Sequence, residues 1–358
     1  MGARYILEQR ILNPRVQLNK DEQRFNALAN ARSVLIDAGS FEQGYELMLG
    51  NFIAMELAFS EIGLRSVLEL DQKYATAAET LREANRNVVN VLTAMKGYVD
   101  QVPQLFKMLP LTPAFDAVVK SALNIMHAGS SDYRFVYELR NHAQHQGTAI
   151  QGFEGNISLT NDSNGWAEAL TLQAFKSQLA ANGFKASALA DQPERIDIRQ
   201  RVRKSMLALG QVHLALRAQV AKDVDAARTA FDAAIADYRG AGCNSVIALC
   251  ARRVGDPEAD VVVMVDWDDV RIGLVHKNDQ PPNIWPRRSR GEPDVAQIVA
   301  LRTAAKQTVA EAAALVCVAE ARWEDWEAGL PMPEGLFHFY RLQSGQHPTH
   351  ELALAAKP

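Results

Sequence analysis

Three side chains in one short stretch, Arg140, Asn141 and His145, have types and a spacing that suit chemistry on a phosphate ester. An arginine guanidinium offers phosphate oxygens a fixed fork of donors. A histidine imidazole can transfer a proton near neutral pH. A simpler interpretation also stands, because the helix dipole favours histidines near a helix C-terminus, and an arginine there is ordinary.

The stretch from Ser131 to Gly147 has the properties of a helix. It contains no proline and no internal glycine, and Gly147 follows it as a natural C-terminal stop. Ser130 or Ser131 can cap its start. We therefore predict one helix that carries all three candidate residues.

The helical period arranges the polar side chains of this stretch. One stripe holds residues four positions apart: Tyr133, Tyr137, Asn141 and His145. Tyr137 adds a hydroxyl group and an aromatic face for stacking. Arg140 and His145 lie roughly 140° apart around the axis. They can border one cleft only if another surface, such as a second subunit, closes over them.

Glu56 is a charge in an apolar stripe of an earlier predicted helix. The stripe consists of Tyr45, Leu49, Phe52 and Phe59. A carboxylate in such a stripe costs several kcal/mol unless it is paired. We therefore predict that Glu56 pairs with a cation such as Arg140 and holds it in place. The alternative is a helix rotated so that Glu56 meets solvent.

A basic cluster opens a later predicted helix, and Arg199 and Arg203 are its candidates for binding substrate phosphates. The cluster comprises Arg195, Arg199, Arg201, Arg203 and Lys204. The alternative is a solvated helix face that neighbours Glu194 and Asp197. A net charge of −4 argues against a general nucleic-acid coat but permits a local basic site.

Arg140, Asn141 and His145, near the C-terminal end of a helix in a helical chain, resemble the signature of the HEPN superfamily (higher eukaryotes and prokaryotes nucleotide-binding domain). That signature is an arginine, a polar residue that is often asparagine, and a histidine after four to six residues; here four residues intervene. The resemblance implies a metal-independent endoribonuclease, often a toxin or phage-defence effector, with its active site at a homodimer interface.

The resemblance also implies roles for individual residues. Arg140 would stabilise the phosphate, His145 would transfer the proton when a ribose 2′-hydroxyl attacks its own phosphorus, and Asn141 would orient the pair. Apart from the resemblance, the residue types and their positions lead us to predict that Tyr137, Glu56 and His142 support them. The expected partners are a second copy, an RNA or nucleotide, and an antitoxin protein, with no cofactor and no metal. The alternative is a non-catalytic dimerisation or adaptor module, or a nucleotide-binding module.

The rest of the chain indicates a mainly α fold, an up-and-down helical bundle with a small α+β C-terminal appendage. We divide it into an N-terminal extension (1–20), a bundle (21–239) and a smaller α+β region (243–358). Three cysteines at irregular spacing predict neither a disulfide framework nor a zinc site. We find no signal peptide and no membrane span, and expect a cytoplasmic protein.

Several element predictions can be checked directly. Helices are predicted over 21–38, 41–70, 71–99, 114–126, 197–238 and 293–325, with Gly39-Ser40 as a break, and a weak helix over 166–179. Hairpins are predicted over 148–160 and 260–276. The second hairpin turns at Asp268-Asp269, which with Asp266 could also bind a divalent cation, although such a turn needs no metal.

Overall fold

The computed structural model describes residues 4–10, 16–69, 73–159, 166–243, 245–282, 293–328 and 332–347. The protein is mainly α-helical, as its sequence predicts. The chain forms two compact units, residues 1–284 and residues 285–358. The candidate residues all belong to the first unit.

Three long helices, α1 (Glu22–Glu69), α2 (Tyr74–Gln101) and α7 (Ile198–Gly240), frame the first unit together with the shorter α4 (Ser131–His145). Helix α1 packs against α2 and α7, and α4 packs against the same two helices. Smaller helices complete the unit: α3 (Phe115–Gly129), α5 (Lys176–Ala181), α6 (Ala186–Leu189) and α8 (Asp266–Lys277). Together they place the candidate helix α4 beside the core.

Helix α1 runs unbroken for 48 residues, so the predicted break at Gly39-Ser40 is wrong. The buried positions continue in helical register through this point, with Leu35, Ala38 and Phe41 all in the core. A glycine weakens a helix by only about 1 kcal/mol. Core packing on both sides of Gly39 outweighs that cost.

A three-stranded antiparallel sheet follows α4, in the order β3 (Gly152–Leu159), β4 (Trp166–Phe175) and β5 (Arg195–Asp197). The weak helix predicted over 166–179 is therefore wrong for most of its length. Leu170, Leu172 and Ala174 are buried in alternation, which is the period of a strand rather than of a helix. Only residues from Lys176 onward form a helix.

A four-stranded sheet joins the two ends of the first unit in the order β2-β1-β6-β7. Its strands are β1 (Tyr5–Gln9), β2 (Gln17–Lys20), β6 (Leu249–Arg253) and β7 (Asp256–Val262). Strand β1 pairs with β6, with Leu7 opposite Ala251. The structure thus differs from our division at 20 and at 239–243, because strands β1 and β2 build one sheet with the strands after Gly242.

The hairpin predicted over 260–276 is also wrong, since its second half is helix α8. Asp266, Asp268 and Asp269 lie in the first turn of that helix, where the dipole favours acidic residues. The Asp268 carboxylate is buried and binds the guanidinium groups of Arg228 and Arg271, at 3.0 Å and 2.6 Å. Asp268 is therefore an ion-pair partner on a helix and not part of a hairpin turn.

The second unit is helical throughout its described residues. Its helices are α9 (Val295–Ala304), α10 (Val309–Leu315), α11 (Glu320–Glu327) and α12 (Glu334–Gln343). The single helix predicted over 293–325 is therefore wrong. Positive φ angles at Lys306 and Cys317 interrupt it, and capping boxes at Asp294 and Thr308 start new helices. Trp323, Trp326 and Tyr340 fill this unit's own core.

Candidate functional site

Helix α4 carries the candidate residues and matches its predicted bounds. The hydroxyl oxygen of Ser130 accepts a hydrogen bond from the Tyr133 backbone N–H at 3.1 Å, which caps the helix start. Phe135 and Leu139 anchor its inner face in the core. At the other end, the N–H of Gly147 donates to the His142 carbonyl at 3.1 Å. The sequence rules for helix ends therefore predicted this element well.

Arg140 lies half-buried against α2. Its Nη1 donates to Asn141 Oδ1 at 3.3 Å, while its Nε is buried and has no hydrogen-bond partner. Among the residues that the structure describes, no carboxylate pairs with this guanidinium. Arg140 lines a small cavity of about 20 Å³ together with Tyr133, Tyr137 and Lys96. A partly buried cation without an anion is the most unusual feature of the helix.

Asn141 connects Arg140 to an acidic neighbour. Its Oδ1 accepts from Arg140, and its Nδ2 lies 3.4 Å from Glu138 Oε2. Glu138 is itself paired with Lys185 at 3.1 Å. The amide is thus held with its oxygen toward the guanidinium.

The histidines of α4 have different environments. His145 is exposed at the end of the helix, and no hydrogen bond joins it to any described residue. His142 is buried; its Nδ1 lies 3.0 Å from Gln146 Oε1, and its ring packs 5.7 Å from that of Phe184. His142 therefore packs within the core, whereas the imidazole of His145 faces solvent.

Tyr137 is half-buried within an aromatic group on α3 and α4. Its ring centroid lies 6.5 Å from that of Tyr133 and 6.2 Å from that of His127. Because it also lines the cavity beside Arg140, Tyr137 can support the guanidinium by packing.

Glu56 is paired, but with other arginines than the predicted one. Its Oε2 accepts from Arg199 Nη2 at 2.7 Å and from Arg203 Nη2 at 2.6 Å. Burial alone would raise the pKa of the Glu56 carboxyl, but the bonds from Arg203 and Arg199 together outweigh it and lower that pKa. The predicted pairing of Glu56 with Arg140 is therefore replaced by a bridge between α1 and α7.

This bridge changes the interpretation of the basic cluster at the start of α7. Arg199 and Arg203 are both occupied by Glu56, and Arg201 is occupied by Asp132. The guanidinium groups predicted to bind substrate phosphates thus serve the packing of α7 on α1 and α4. The alternative considered for this cluster, a solvated helix face, does not describe it either.

A pocket that the sequence did not reveal opens beside the end of α4. It has a volume of about 750 Å³, and its lining includes Arg82, Arg86, Asn90, Gly147, Gln151 and Asn182. Arg82 and Arg86 are exposed and lack ion-pair partners among the described residues. In the sequence, the only indication of this pocket was that the two arginines are four residues apart and therefore share one helix face. Such pairs are common, and only the fold shows that this pair lies at a pocket.

Asn85 fixes the wall of this pocket. Its Nδ2 donates to the Ile150 carbonyl at 2.9 Å, and its Oδ1 accepts from the Ile150 N–H at 2.9 Å. The segment after α4 is thereby held against α2. The two exposed arginines and the C-terminal end of α4 consequently border one pocket.

Within one chain, the structure joins Arg140 to Asn141 but shows no contact or shared cavity between Arg140 and His145. No group of His, Cys, Asp or Glu suited to hold a metal ion occurs among the described residues. No protein-family model matches this chain, and no curated protein or solved structure shows significant similarity to it.

Proposed function

We propose that this protein is a metal-independent endoribonuclease of the HEPN type, in which Arg140 binds the phosphate, His145 transfers a proton and Asn141 orients Arg140. One observation carries the proposal: the guanidinium of Arg140 is half-buried without a carboxylate partner among the described residues. The family resemblance of the motif supplies the reaction.

The energetic argument starts from the cost of burying a charge. An uncompensated buried cation is unfavourable by several kcal/mol. Other partly buried guanidinium groups here pair with a carboxylate, as in Arg203 with Glu56 and Arg217 with Glu42. A guanidinium kept without an anion is typical of a site whose anion comes from a ligand. A phosphodiester is the ligand that the resemblance implies.

The proposed reaction needs no nucleophile from the protein. The ribose 2′-hydroxyl loses its proton and attacks the adjacent phosphorus, the bond to the 5′-oxygen breaks, and that oxygen gains a proton. The products are a 2′,3′-cyclic phosphate and a 5′-hydroxyl. His145 is exposed at the helix end, so its imidazole can exchange protons with a bound RNA.

The proposal includes a second copy of the chain. Arg140 and His145 diverge by roughly 140° on α4, so a site that uses both would take them from two copies. The pocket bordered by Arg82 and Arg86 would then hold neighbouring RNA phosphates. A toxin or phage-defence role in the cytoplasm, an antitoxin partner and an up-and-down HEPN bundle belong to the same proposal.

The test is cleavage of a mixed RNA pool in the presence of a chelator. We expect the wild type to leave 2′,3′-cyclic phosphate ends, and His145→Ala to lose activity by at least a hundredfold. His276→Ala, an exposed histidine on α8, is the matched control and should remain active. Retained cleavage by His145→Ala would contradict the assignment.

Mixing two inactive variants tests the composite site. If Arg140 and His145 come from different copies, a mixed dimer of Arg140→Ala and His145→Ala contains one intact site. Random exchange should then restore about a quarter of the wild-type activity. No recovery, despite proven subunit exchange, would place both residues of a site in one chain.

A non-catalytic adaptor or nucleotide-binding module is the second candidate. The divergence of Arg140 and His145 favours it, because one chain alone forms no shared cleft around them. Under this alternative, mononucleotides would bind without turnover, and Arg140→Ala would weaken that binding. Isothermal titration with nucleoside monophosphates, next to the cleavage assay, separates the two candidates.

A further inference from the structure

Helix α1 has a second apolar face that none of the described residues of the first unit covers. Its inner side chains fill the core, yet five large apolar residues along one outer stripe are exposed by 41–69%: Ile36, Leu47, Leu57, Leu64 and Leu68. A sixth, Ile53, is 44% exposed and lies beside this stripe. A helix that is apolar on both sides is normally buried on both sides. An exposed apolar patch of this size marks an interaction surface.

The exposed residues follow a heptad pattern. Ten positions alternate in spacings of four and three, and we call them the α1 seam: Ile36, Ser40, Gln43, Leu47, Gly50, Ala54, Leu57, Glu61, Leu64 and Leu68. All ten are exposed. This spacing keeps one stripe facing a partner helix along its length, as in a two-stranded coiled coil. The occupant of the seam is therefore expected to be a helix.

The α1 seam is complementary to itself when reversed. Around its midpoint, residue 52, four of the five facing pairs match in type: Leu47 with Leu57, Gly50 with Ala54, Ile36 with Leu68, and Gln43 with Glu61. The fifth pair places Ser40 opposite Leu64. In a two-fold symmetric interface, residue i of one copy contacts residue j of the other, and j contacts i. A second antiparallel copy of α1 meets that requirement along the whole seam.

We propose that the α1 seam binds the α1 seam of a second copy in antiparallel orientation. The seam is about 48 Å long at 1.5 Å per residue and about 10 Å wide, the diameter of a helix. It would bury roughly 500 Å² per chain and 1,000 Å² in total, which reaches the lower bound of specific interfaces. A depression of about 420 Å³ at Leu47, Gly50 and Ala54 lets the two backbones approach closely.

The chemistry of the seam favours this occupant over a lipid bilayer. By length and composition alone, the segment Glu22–Ser66 of α1 could span a membrane. However, Gln43 and Glu61 lie on the exposed face, where hydrocarbon would leave them unsatisfied. In the antiparallel pair the Gln43 amide faces the Glu61 carboxylate of the other copy and can donate to it.

This surface goes beyond the proposed function and is tested separately from it. None of its residues lines the cavity beside Arg140 or the pocket bordered by Arg82 and Arg86. Because the composite site proposed above also needs a second copy, the mass of the wild type alone does not identify the interface. The effect of Leu57→Glu on that mass and the pattern of disulfide trapping report on the α1 seam whether or not RNA is cleaved.

The first experiment is size-exclusion chromatography with light scattering on the full-length chain. We expect the wild type to have the mass of two chains at micromolar concentration. Leu57→Glu places two carboxylates in the apolar interface and should raise the dissociation constant at least a hundredfold. Asn30→Glu adds the same charge on an exposed α1 position outside the seam and should stay dimeric. Circular dichroism confirms that each variant is folded.

Disulfide trapping tests the register. In a Cys317→Ser background, the double variant Leu47→Cys and Leu57→Cys should form covalent dimers on oxidation, because antiparallel pairing places each new thiol opposite the other. Leu47→Cys alone should not, since its two copies would lie about 15 Å apart along the axis, beyond disulfide reach. A monomeric wild type, an unaffected Leu57→Glu dimer, efficient trapping by Leu47→Cys alone, or flotation of the wild type with phospholipid vesicles would overturn the proposal.

Discussion

At the scale of single residues, the structure shows that charges predicted to act on substrate can instead hold helices together. Glu56 lies on α1, and its two arginines lie about one turn apart on α7. The sequence indicated that this carboxylate needed a cation. It did not indicate which one, because the partners are more than 140 residues away along the chain. Because Glu56 binds these two arginines, Arg140 has no carboxylate partner among the described residues, and it is a stronger candidate for binding an anion than Arg199 or Arg203.

Substituting Glu56 tests that bridge. We expect Glu56→Gln to lower the free energy of unfolding by about 2 kcal/mol, because two guanidinium groups lose their charged acceptor. Arg195→Gln, which removes an exposed ion pair with Glu154, should cost less than about 0.5 kcal/mol. Urea denaturation at pH 7 measures both. Equal losses in the two variants would mean that the bridge contributes no more than a surface pair.

A buried histidine makes stability depend on pH. His213 lies between the rings of Phe41 and Tyr45, with centroids 4.3 Å and 3.9 Å away. Its Nδ1 lies 2.8 Å from the Tyr98 hydroxyl and its Nε2 lies 3.2 Å from Glu42 Oε2. Burial lowers the pKa of His213, and the Glu42 carboxylate offsets only part of that effect.

The sign of the pH effect follows from that lowered pKa. Below about pH 6.5 the unfolded chain protonates this histidine while the folded protein resists it, so stability falls as the pH drops from 7 to 5. In His213→Gln this fall should be smaller, by up to about 1.4 kcal/mol per pH unit. Denaturant titrations at several pH values measure how the free energy of unfolding changes with pH. A slope in His213→Gln identical to that of the wild type would show that His213 does not cause the pH dependence.

At the scale of elements, the sequence predicted a helix correctly where the hydrophobic period and the capping residues indicate the same bounds. The predictions failed where packing against the rest of the fold determines the secondary structure. Helix α4, with its Ser130 cap and its glycine stop, was predicted nearly to the residue. Strand β4 was misjudged because small and polar side chains mask its alternation. Glycines mislead most, because Gly39 and Gly210 look alike in sequence but lie in different surroundings.

Two matched substitutions separate these glycines. A Cβ at position 210 of α7 would lie 2.7 Å from Pro282 Cδ and 2.9 Å from the Tyr45 hydroxyl oxygen, whereas a Cβ at position 39 meets nothing within 4 Å. We expect Gly210→Ala to destabilise the protein by about 1–3 kcal/mol. Gly39→Ala should stabilise it by about 0.5–1 kcal/mol. Thermal unfolding of both variants is the measurement, and melting temperatures that shift in the same direction would contradict this view of α7 packing.

At the scale of the whole molecule, the first unit is closed by the sheet that joins its two ends. The sequence indicated an extension over 1–20 because nothing local reveals a partner more than 240 residues away. All five residues of β1 are buried. Strand β1 therefore belongs to the core. Weakening it should destabilise its neighbour β6 as well as the N-terminus.

Replacing Leu7 distinguishes a core strand from a detachable extension. Leu7 is fully buried and lies opposite Ala251 in β6. Leu7→Ala should lower the free energy of unfolding by about 2–4 kcal/mol, because it leaves a cavity in the core. Amide hydrogen exchange should then speed up in Leu249–Arg253 as well as in β1, because the two strands share their hydrogen bonds. Ile247→Ala, at a side chain that is 71% exposed just before β6, controls for local effects and should change neither quantity. Faster exchange confined to β1, with stability unchanged, would restore the view of residues 1–20 as an independent extension.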